Sequence, residues 1–206
     1  MENFNRKKHW ETIYQTKELK EVSWYQPTPK TSLDFINKFD VSTTTKIIDI
    51  GGGDSFLVDH LLELGFQDIT VLDISEAAIE RAKNRLGEKA KLVKWIIEDV
   101  LNFIPTEKYD FWHDRAAFHF LTKQEEIDSY VEKATSFIQK NGILVIGTFS
   151  EQGPKKCSGI DIKQYSEESL TNCFEGRFQK LECIYVDHHT PSETIQNFVF
   201  CSFRKL

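Results

Sequence analysis

Carboxylates and glycines that follow predicted strands are the residues best suited to bind a nucleoside. A run of three glycines begins two positions after Asp49, namely Gly51, Gly52 and Gly53. Glycines let the backbone turn tightly and approach a ligand, and the helix that follows offers unpaired N–H groups. Asp73 ends the next predicted strand, where a carboxylate can accept two hydrogen bonds from a ribose diol.

A third predicted strand also ends in an acid. Asp99 is placed to accept a hydrogen bond from an adenine amino group, and the N–H of Val100 suits a ring nitrogen. Ligands of parallel sheets bind outside the carboxyl ends of the strands, and all these residues fall there. Strand-end carboxylates that only cap helices are the alternative, but their combination with the glycines favours a nucleoside site.

Acid–base candidates follow the fourth predicted strand, within residues 112–121. Asp114 is the best-placed carboxylate there, and Arg115 can hold an acidic ligand or pair with Asp114. His119 titrates near neutral pH and suits a general base. The alternative is that Asp114 and Arg115 form a structural ion pair and that His119 packs under the next helix.

Aromatic residues before the sheet form a second group of candidates. Trp24 and Tyr25, in the segment 21–29, offer ring faces that attract a cation. Trp10 and Tyr14 are expected to pack on the edge of the sheet rather than to join them.

A basic loop over residues 153–159 is the third candidate. Lys155, Lys156 and Ser158 suit an anionic ligand, although a solvated basic loop is the favoured interpretation. The adjacent pair His188 and His189 chelates poorly, because neighbouring strand residues point to opposite faces. We predict no metal site.

Alternating strands and helices position these residues. Short apolar runs predict buried parallel strands, and helical patterns lie between them; the strands cover 46–50, 68–74, 91–97, 108–114 and 142–149. This order predicts a three-layer α/β fold, a parallel sheet with helices on both faces. Two final strand-like runs joined by a turn predict an antiparallel C-terminal hairpin at the sheet edge.

The N-terminal residues are predicted to form a helical lid over this sheet. One helix is expected over 4–17 and a second after Pro29, capped by Thr28 or Thr31. We expect a single domain of residues 1–206, with a lid of 1–40 and a core of 46–206.

Composition excludes several classes of protein. The net charge of -6 argues against non-specific nucleic-acid binding, and no apolar stretch is long enough to cross a bilayer. The N-terminus lacks the apolar region of a signal peptide. The four cysteines form no Cys-x-x-Cys pair, which predicts reduced, mostly buried thiols and a cytoplasmic protein.

The glycine loop discriminates between two cofactors. A nicotinamide dinucleotide site requires Gly-x-Gly-x-x-Gly, but Phe56 stands at the last position. The segments DIGGGDS, VLDIS and EDV instead match three motifs of class I S-adenosylmethionine-dependent methyltransferases, and the chain resembles that family over residues 46–205. One departure is Asp54, which follows Gly53 where a further glycine is common.

The resemblance implies a Rossmann-like seven-stranded sheet with the last strand antiparallel, and S-adenosylmethionine as the cofactor. It also implies roles for individual residues. Gly51 and Gly53 would line the methionine part, Asp73 would bind the ribose, and Ile74 would pack on the adenine. Asp99 and Val100 would read the adenine edge, while Asp49 would order the loop or reach the cofactor amino group through water.

The methyl acceptor stays open at this level. The segment HDRA after the fourth strand lacks the Asn/Asp-Pro-Pro-aromatic motif of nucleic-acid amino methyltransferases, and no Pro-Cys motif for cytosine methylation follows it. A small-molecule acceptor and a protein lysine side chain both remain, and the absence of an appended recognition domain favours the small molecule. A non-catalytic nucleotide-binding protein is the third hypothesis, and the oligomeric state is left open.

Overall fold

A seven-stranded sheet organises the residues that the computed structural model describes, 4–206. Its first five strands are β1 (Lys46–Ile50), β2 (Asp68–Asp73), β3 (Val93–Ile97), β4 (Tyr109–Arg115) and β5 (Ile138–Phe149). A small separate hairpin follows, formed by β6 (Lys156–Cys157) and β7 (Ile160–Asp161). The last two strands of the sheet are β8 (Phe178–His189) and β9 (Ile195–Lys205).

The strand order is β3-β2-β1-β4-β5-β9-β8. Neighbours from β3 to β5 pair in parallel, and β9 runs antiparallel between β5 and β8. The predicted C-terminal hairpin is confirmed, with β8 at the sheet edge and the apolar strand β9 inside the sheet. This topology is the one expected for the methyltransferase-like sheet.

The described chain contains six α-helices, of which the last five cover the two faces of the sheet: α1 (Arg6–Thr16), α2 (Lys30–Lys38), α3 (Leu57–Glu63), α4 (Glu76–Leu86), α5 (Gln124–Phe137) and α6 (Glu167–Phe174). One apolar core lies under α2, α3 and α4, and a second lies under α5 and α6. The three-layer α/β prediction is therefore confirmed. Within residues 4–206, no helix combines the length and the apolar character needed to cross a bilayer.

Local chemistry accounts for both ends of α4. Ser75 caps α4 by accepting a hydrogen bond from the N–H of Ala78, and Gly87 ends that helix with a positive φ of 57°. The expected threonine cap of α2 is wrong, because the helix begins at Lys30 with Pro29 as its N-cap. The proline ring restrains φ near helical values, which makes Pro29 a suitable entry point without a side-chain cap.

The cysteines differ from the expectation of reduced thiols. Cys183 and Cys201 face each other across β8 and β9 and form a disulfide. The prediction failed for this pair because the two positions are brought together only by the hairpin register, which spacing in the sequence does not reveal. Cys157 and Cys173 are free thiols, and Cys157 is buried.

Candidate active site

A cavity opens at the carboxyl ends of the central strands. The empty space in it, open solvent at its mouth included, amounts to about 1280 Å³. Acidic side chains, aromatic side chains and two arginines line it.

The glycine loop forms the floor of the cavity. Gly51 has a φ of +66°, and a Cβ atom there would lie 2.7 Å from the Cβ of Ala117. A Cβ on Gly52 would lie 2.6 Å from Oδ2 of Asp49. Both positions therefore require glycine, which leaves the backbone exposed to a ligand.

Asp73 lies at the end of β2 beside this loop. Its carboxyl is 5% exposed, and its Oδ1 accepts a hydrogen bond of 2.8 Å from the N–H of Ser75. Burial raises the pKa of Asp73 to about 7, and the negative charges of Asp54 and Asp49 act in the same direction. A buried carboxylate with capacity for further hydrogen bonds suits a diol.

The adjacent strand β3 supplies the next part of the wall. Asp99 and Val100 line the cavity together with Ile74. Oδ1 of Asp99 accepts a hydrogen bond of 2.9 Å from the N–H of Leu101, and its Oδ2 lies 3.5 Å from Nη1 of Arg6. Oδ1 of Asp99 is thus occupied by a backbone hydrogen bond. Oδ2 has only a long contact with Arg6 and can accept a hydrogen bond from a ligand.

Helix α1 is fastened over these residues. Arg6 forms two hydrogen bonds with the Glu126 carboxylate, at 3.0 and 3.1 Å. Glu11 accepts hydrogen bonds from the Ser75 hydroxyl and from the N–H of Ala77, where α4 begins. An acidic side chain is favourable at a helix N-terminus, so Glu11 locks α1 onto α4.

Four aromatic rings form one wall of the cavity. The ring centroids of Trp10 and Trp24 lie 5.8 Å apart, and those of Tyr14 and Trp24 lie 6.0 Å apart. Phe120 approaches Trp10 to 4.8 Å. The expectation that Trp10 and Tyr14 pack on the sheet edge is wrong, because both line the cavity with Trp24. Such a cluster attracts a positively charged group.

A buried hydrogen-bonded chain connects β1, β4 and α2. His113 donates from Nδ1 to Oδ1 of Asp49 at 2.7 Å and accepts at Nε2 from the Ser32 hydroxyl at 2.9 Å. All three side chains line the cavity. These hydrogen bonds orient Asp49 against the glycine loop and connect α2 to the sheet.

Arg115 lies at the end of β4. Its Nη1 donates to the Trp24 carbonyl oxygen at 3.2 Å, and its Cζ lies 5.1 Å from the centre of the Phe198 ring. Burial lowers the pKa of Arg115 to about 10, which leaves it charged near neutral pH.

The segment 21–29 is held by His188 of β8. His188 donates from Nε2 to the Ser23 carbonyl oxygen at 2.6 Å and lies 3.3 Å from the Gln26 amide nitrogen through Nδ1. Burial lowers the pKa of His188 to about 4, so the imidazole is neutral and fits this donor–acceptor arrangement. Trp24 and Tyr25 are thereby presented to the cavity.

A family model described as a methyltransferase domain matches residues 42–193, most of the chain. The chain belongs to this methyltransferase family. It is a class I S-adenosylmethionine-dependent methyltransferase with a Rossmann-like fold, as the predicted resemblance implied.

The names of two relatives of the methyltransferase indicate different methyl acceptors. It is 26% identical over 113 residues to malonyl-[acyl-carrier protein] O-methyltransferase 2 of Ilyobacter polytropus, covering 54% of this chain and 42% of the relative. It is 27% identical over 126 residues to the eEF1A lysine and N-terminal methyltransferase of Mus musculus, and this match covers 60% of this chain and 18% of the relative. The chain spans less than half the length of either relative.

A solved structure shares the fold of the methyltransferase. The 1,6-didemethyltoxoflavin-N1-methyltransferase of Burkholderia thailandensis, with bound 1,6-didemethyltoxoflavin and S-adenosylhomocysteine, superimposes with a TM-score of 0.77 at 15% identity. The match covers 97% of this chain and 86% of the other.

The cavity of the methyltransferase fits its cofactor, S-adenosylmethionine. The glycine floor has no room for side chains, Asp73 has hydrogen-bonding capacity for a ribose, and the aromatic wall suits a sulfonium. Gly51, Gly52, Asp49, Ile74 and Val100 line the same space, whereas Gly53 lies beneath the Tyr14 hydroxyl.

Two of the three residues predicted for acid–base chemistry lie off the cavity wall. Asp114 accepts hydrogen bonds from the Tyr130 hydroxyl and from the N–H groups of Ala117 and Phe118. His119 packs on the Phe149 ring and accepts from the Phe149 N–H, and burial lowers its pKa to about 3. Neither side chain therefore lies against a ligand bound in the cavity.

Arg115 is the member of that predicted set that lines the cavity. It does not pair with Asp114, because successive strand residues point to opposite faces of the sheet. His113, two positions before Arg115 and on the same face of the strand, lines the cavity without having been among the predicted site residues. The alternation along β4 was the available signal for it.

The basic loop 153–159 contributes through a different residue than expected. Lys155 and Lys156 are exposed and off the cavity wall, and Lys156 pairs with Asp161 at 3.2 Å. Cys157, between Lys156 and Ser158, is buried and lines the cavity instead. Among residues 4–206, no group of three or more His, Cys, Asp or Glu side chains is arranged to hold a metal ion.

Proposed function

We propose that the methyltransferase moves a methyl group from S-adenosylmethionine to a small molecule bound in the same cavity. The observation that carries this proposal is the part of the cavity beyond the cofactor residues. It is walled by Trp24, Tyr25, Phe149, Cys157 and Phe198, and residues of the N-terminal segment line the same cavity. A recess walled by apolar side chains favours an acceptor that enters whole over a side chain presented by a folded protein.

In this proposal the chain binds and orients its ligands and excludes water. Asp73 holds the ribose, Asp99 and Val100 read the adenine edge, and the glycine loop receives the methionine part. The bound cofactor supplies an activated methyl group whose leaving group is neutral. Positioning and desolvation then provide most of what the protein must add.

Cavity-lining residues support an acceptor that needs little proton transfer. The histidine on the wall, His113, is engaged at both ring nitrogens by Asp49 and Ser32. Cys157 is buried, and burial raises the pKa of its thiol to about 11, so it stays protonated. An acceptor that is already deprotonated at neutral pH therefore suits this site best.

A protein lysine acceptor is the second candidate. It is favoured by the similarity to the eEF1A lysine and N-terminal methyltransferase. That similarity involves 18% of the relative's length, which leaves most of that protein without a counterpart in the match.

The two candidates are separated by following a labelled methyl group. The purified chain is incubated with tritiated S-adenosylmethionine and a cell extract, and the products are divided by ultrafiltration into protein and small-molecule fractions. We expect label in the small-molecule fraction. Label confined to the protein fraction would reject the proposal in favour of the lysine acceptor. A Gly52→Val variant, which blocks the cavity floor, is the inactive control.

A further inference from the structure

Two arginines line the cavity, and they differ in how their charge is balanced. Arg6 is paired with Glu126 and lies near Asp99. Arg115 forms no ion pair with any residue of 4–206, and its Nη2 is buried without a hydrogen-bond partner there. Its one polar contact is the Nη1 bond to the Trp24 carbonyl oxygen.

The Asp49 carboxylate acts on Arg115 only from a distance. Its charge raises the pKa of Arg115, but it forms no ion pair with the guanidinium and is hydrogen-bonded to His113 at 2.7 Å. The imidazoles of His119 and His188 are neutral, because burial, together with a smaller effect of the Arg115 charge, lowers their pKa values to about 3 and about 4. A desolvated charge without a partner is unfavourable, so an incoming anion would gain from binding it.

The position of Arg115 separates it from the nucleoside residues. It extends from β4 over Phe198 of β9 and under Trp24, with Cys157 nearby. The acids assigned to the ribose and adenine follow β2 and β3, on the other side of β1 in the sheet. The strand order therefore places Arg115 across the glycine floor from the acids that follow β2 and β3.

We propose that Arg115 binds a carboxylate of the methyl acceptor, and that the substrate class is a carboxylic acid with an apolar body. This inference rests on the proposed small-molecule function. The planar guanidinium presents paired N–H donors that match a carboxylate. The rings of Phe149, Phe198 and Trp24, which line the cavity beside Arg115, provide the apolar surface for the remainder of the molecule.

The cofactor has a carboxylate of its own, which is the other source of the same chemistry. If Arg115 held that group, its loss would weaken the binding of S-adenosylhomocysteine. If Arg115 holds the acceptor, cofactor affinity stays unchanged and acceptor affinity falls. The two sources are therefore distinguished by titrating the same variant with both ligands.

The test uses calorimetric titration of the full-length protein with S-adenosylhomocysteine, and then of the loaded protein with hexanoate and phenylacetate. The neutral analogues hexanamide and phenylacetamide have nearly the same shape and lack the charge. We expect wild-type protein to bind at least one of the acids about tenfold or more tightly than its amide. In Arg115→Met this preference should disappear while S-adenosylhomocysteine affinity stays within about twofold.

Arg6→Met is the matched control, because it removes the other cavity-lining arginine and should retain the preference for acids. Thermal melting of both variants shows whether they are folded, and Arg115→Lys, which keeps the charge, should recover part of the preference. The inference is overturned if acids and amides bind alike to wild-type protein or if neither binds. It is also overturned if Arg115→Met loses S-adenosylhomocysteine affinity by about tenfold.

Failure of the inference and failure of the proposed function give different results. Label in the small-molecule fraction without any preference for acids rejects the carboxylate subsite alone. Label confined to protein, with acids still bound through Arg115, rejects the small-molecule function and leaves the anion site standing.

Discussion

Charge at the level of single residues divides the cavity between its two ligands. Asp73 and Asp99 lie at the end that we assign to the nucleoside, and the unpaired Arg115 lies at the other end. A cationic cofactor and an anionic acceptor would each meet the opposite charge. Asp73 allows the strongest prediction, because burial raises its pKa to about 7 and its protonation therefore changes near neutral pH.

Cofactor affinity should depend on pH through Asp73. Its pKa is raised from 3.8 to about 7, and the ionised carboxylate accepts two hydroxyl donors whereas the protonated form accepts fewer. We expect calorimetric affinity for S-adenosylhomocysteine to fall as pH decreases from about 8 to about 6. Asp73→Asn should bind about tenfold or more weakly at the higher pH and show a flat profile. An unchanged pH profile in the variant would assign the effect to another group.

The stability of the free protein should respond to Asp73 in the opposite direction. A raised carboxyl pKa means that the folded state binds the proton more tightly than the unfolded state. The resulting stabilisation is present below about pH 3.8 and is lost as pH rises through about 7. Urea unfolding of wild type and Asp73→Asn across this range should show the difference between them increasing with pH in favour of the variant.

His113 should contribute mainly to stability. His113→Leu removes the donor to the buried Asp49 and the acceptor for Ser32, and leaves both without these partners. We expect a loss of about 1–3 kcal/mol in the free energy of unfolding measured in urea. Ser32→Ala, which removes only the outer end of the chain, should cost about 1 kcal/mol or less. Equal losses in the two variants would contradict the central position of His113.

At the level of elements, α1 and the segment 21–29 complete a cavity whose floor belongs to the sheet. Glu11 and Arg6 fasten α1 to α4 and α5, and His188 fastens the segment to β8. These bonds link chain regions far apart in sequence. The lid is therefore held by specific polar contacts as well as by its aromatic side chains.

Removal of residues 1–26 should separate cofactor binding from folding. The deletion takes away Trp10, Tyr14 and Trp24, and leaves the seven strands intact. We expect a folded core by circular dichroism with affinity for S-adenosylhomocysteine lower by about tenfold or more. Glu11→Ala, which frees only the contact with α4, should reduce affinity by a smaller factor. Full affinity in the truncated protein would show that the lid does not contact the cofactor.

The hairpin of β8 and β9 carries the disulfide of Cys183 and Cys201, which are 18 residues apart. Closing a loop of this size contributes up to about 3 kcal/mol by restricting the unfolded chain. Treatment with a phosphine reductant should lower the melting temperature of wild-type protein. Cys183→Ser should melt at the lower temperature with or without reductant. If the reductant leaves the melting temperature of the wild-type protein unchanged, the result would argue against the disulfide.

For the whole molecule, periodicity and strand-end motifs sufficed to predict the fold. The parallel strands were recognisable as short apolar runs because both faces of the sheet are covered by helices. Ser75 and Gly87 bound α4 because caps and positive φ angles depend on local chemistry. The cofactor class followed from the resemblance of DIGGGDS, VLDIS and EDV to family motifs, which the strands bring to one edge of the sheet.

Tertiary structure alone decided which side chains share the cavity. Asp114 and Arg115 are neighbours in sequence, yet the strand directs one into the core beneath α5 and the other toward the cavity. Trp10 and Tyr14 reach the cavity because Glu11 of α1 accepts a hydrogen bond from the start of α4. His113 orients a carboxylate only because Asp49, on another strand, lies beside it. Such pairings depend on strand register and helix docking. Sequence spacing determines the elements and their ends, whereas contacts between distant elements arise only when the chain packs.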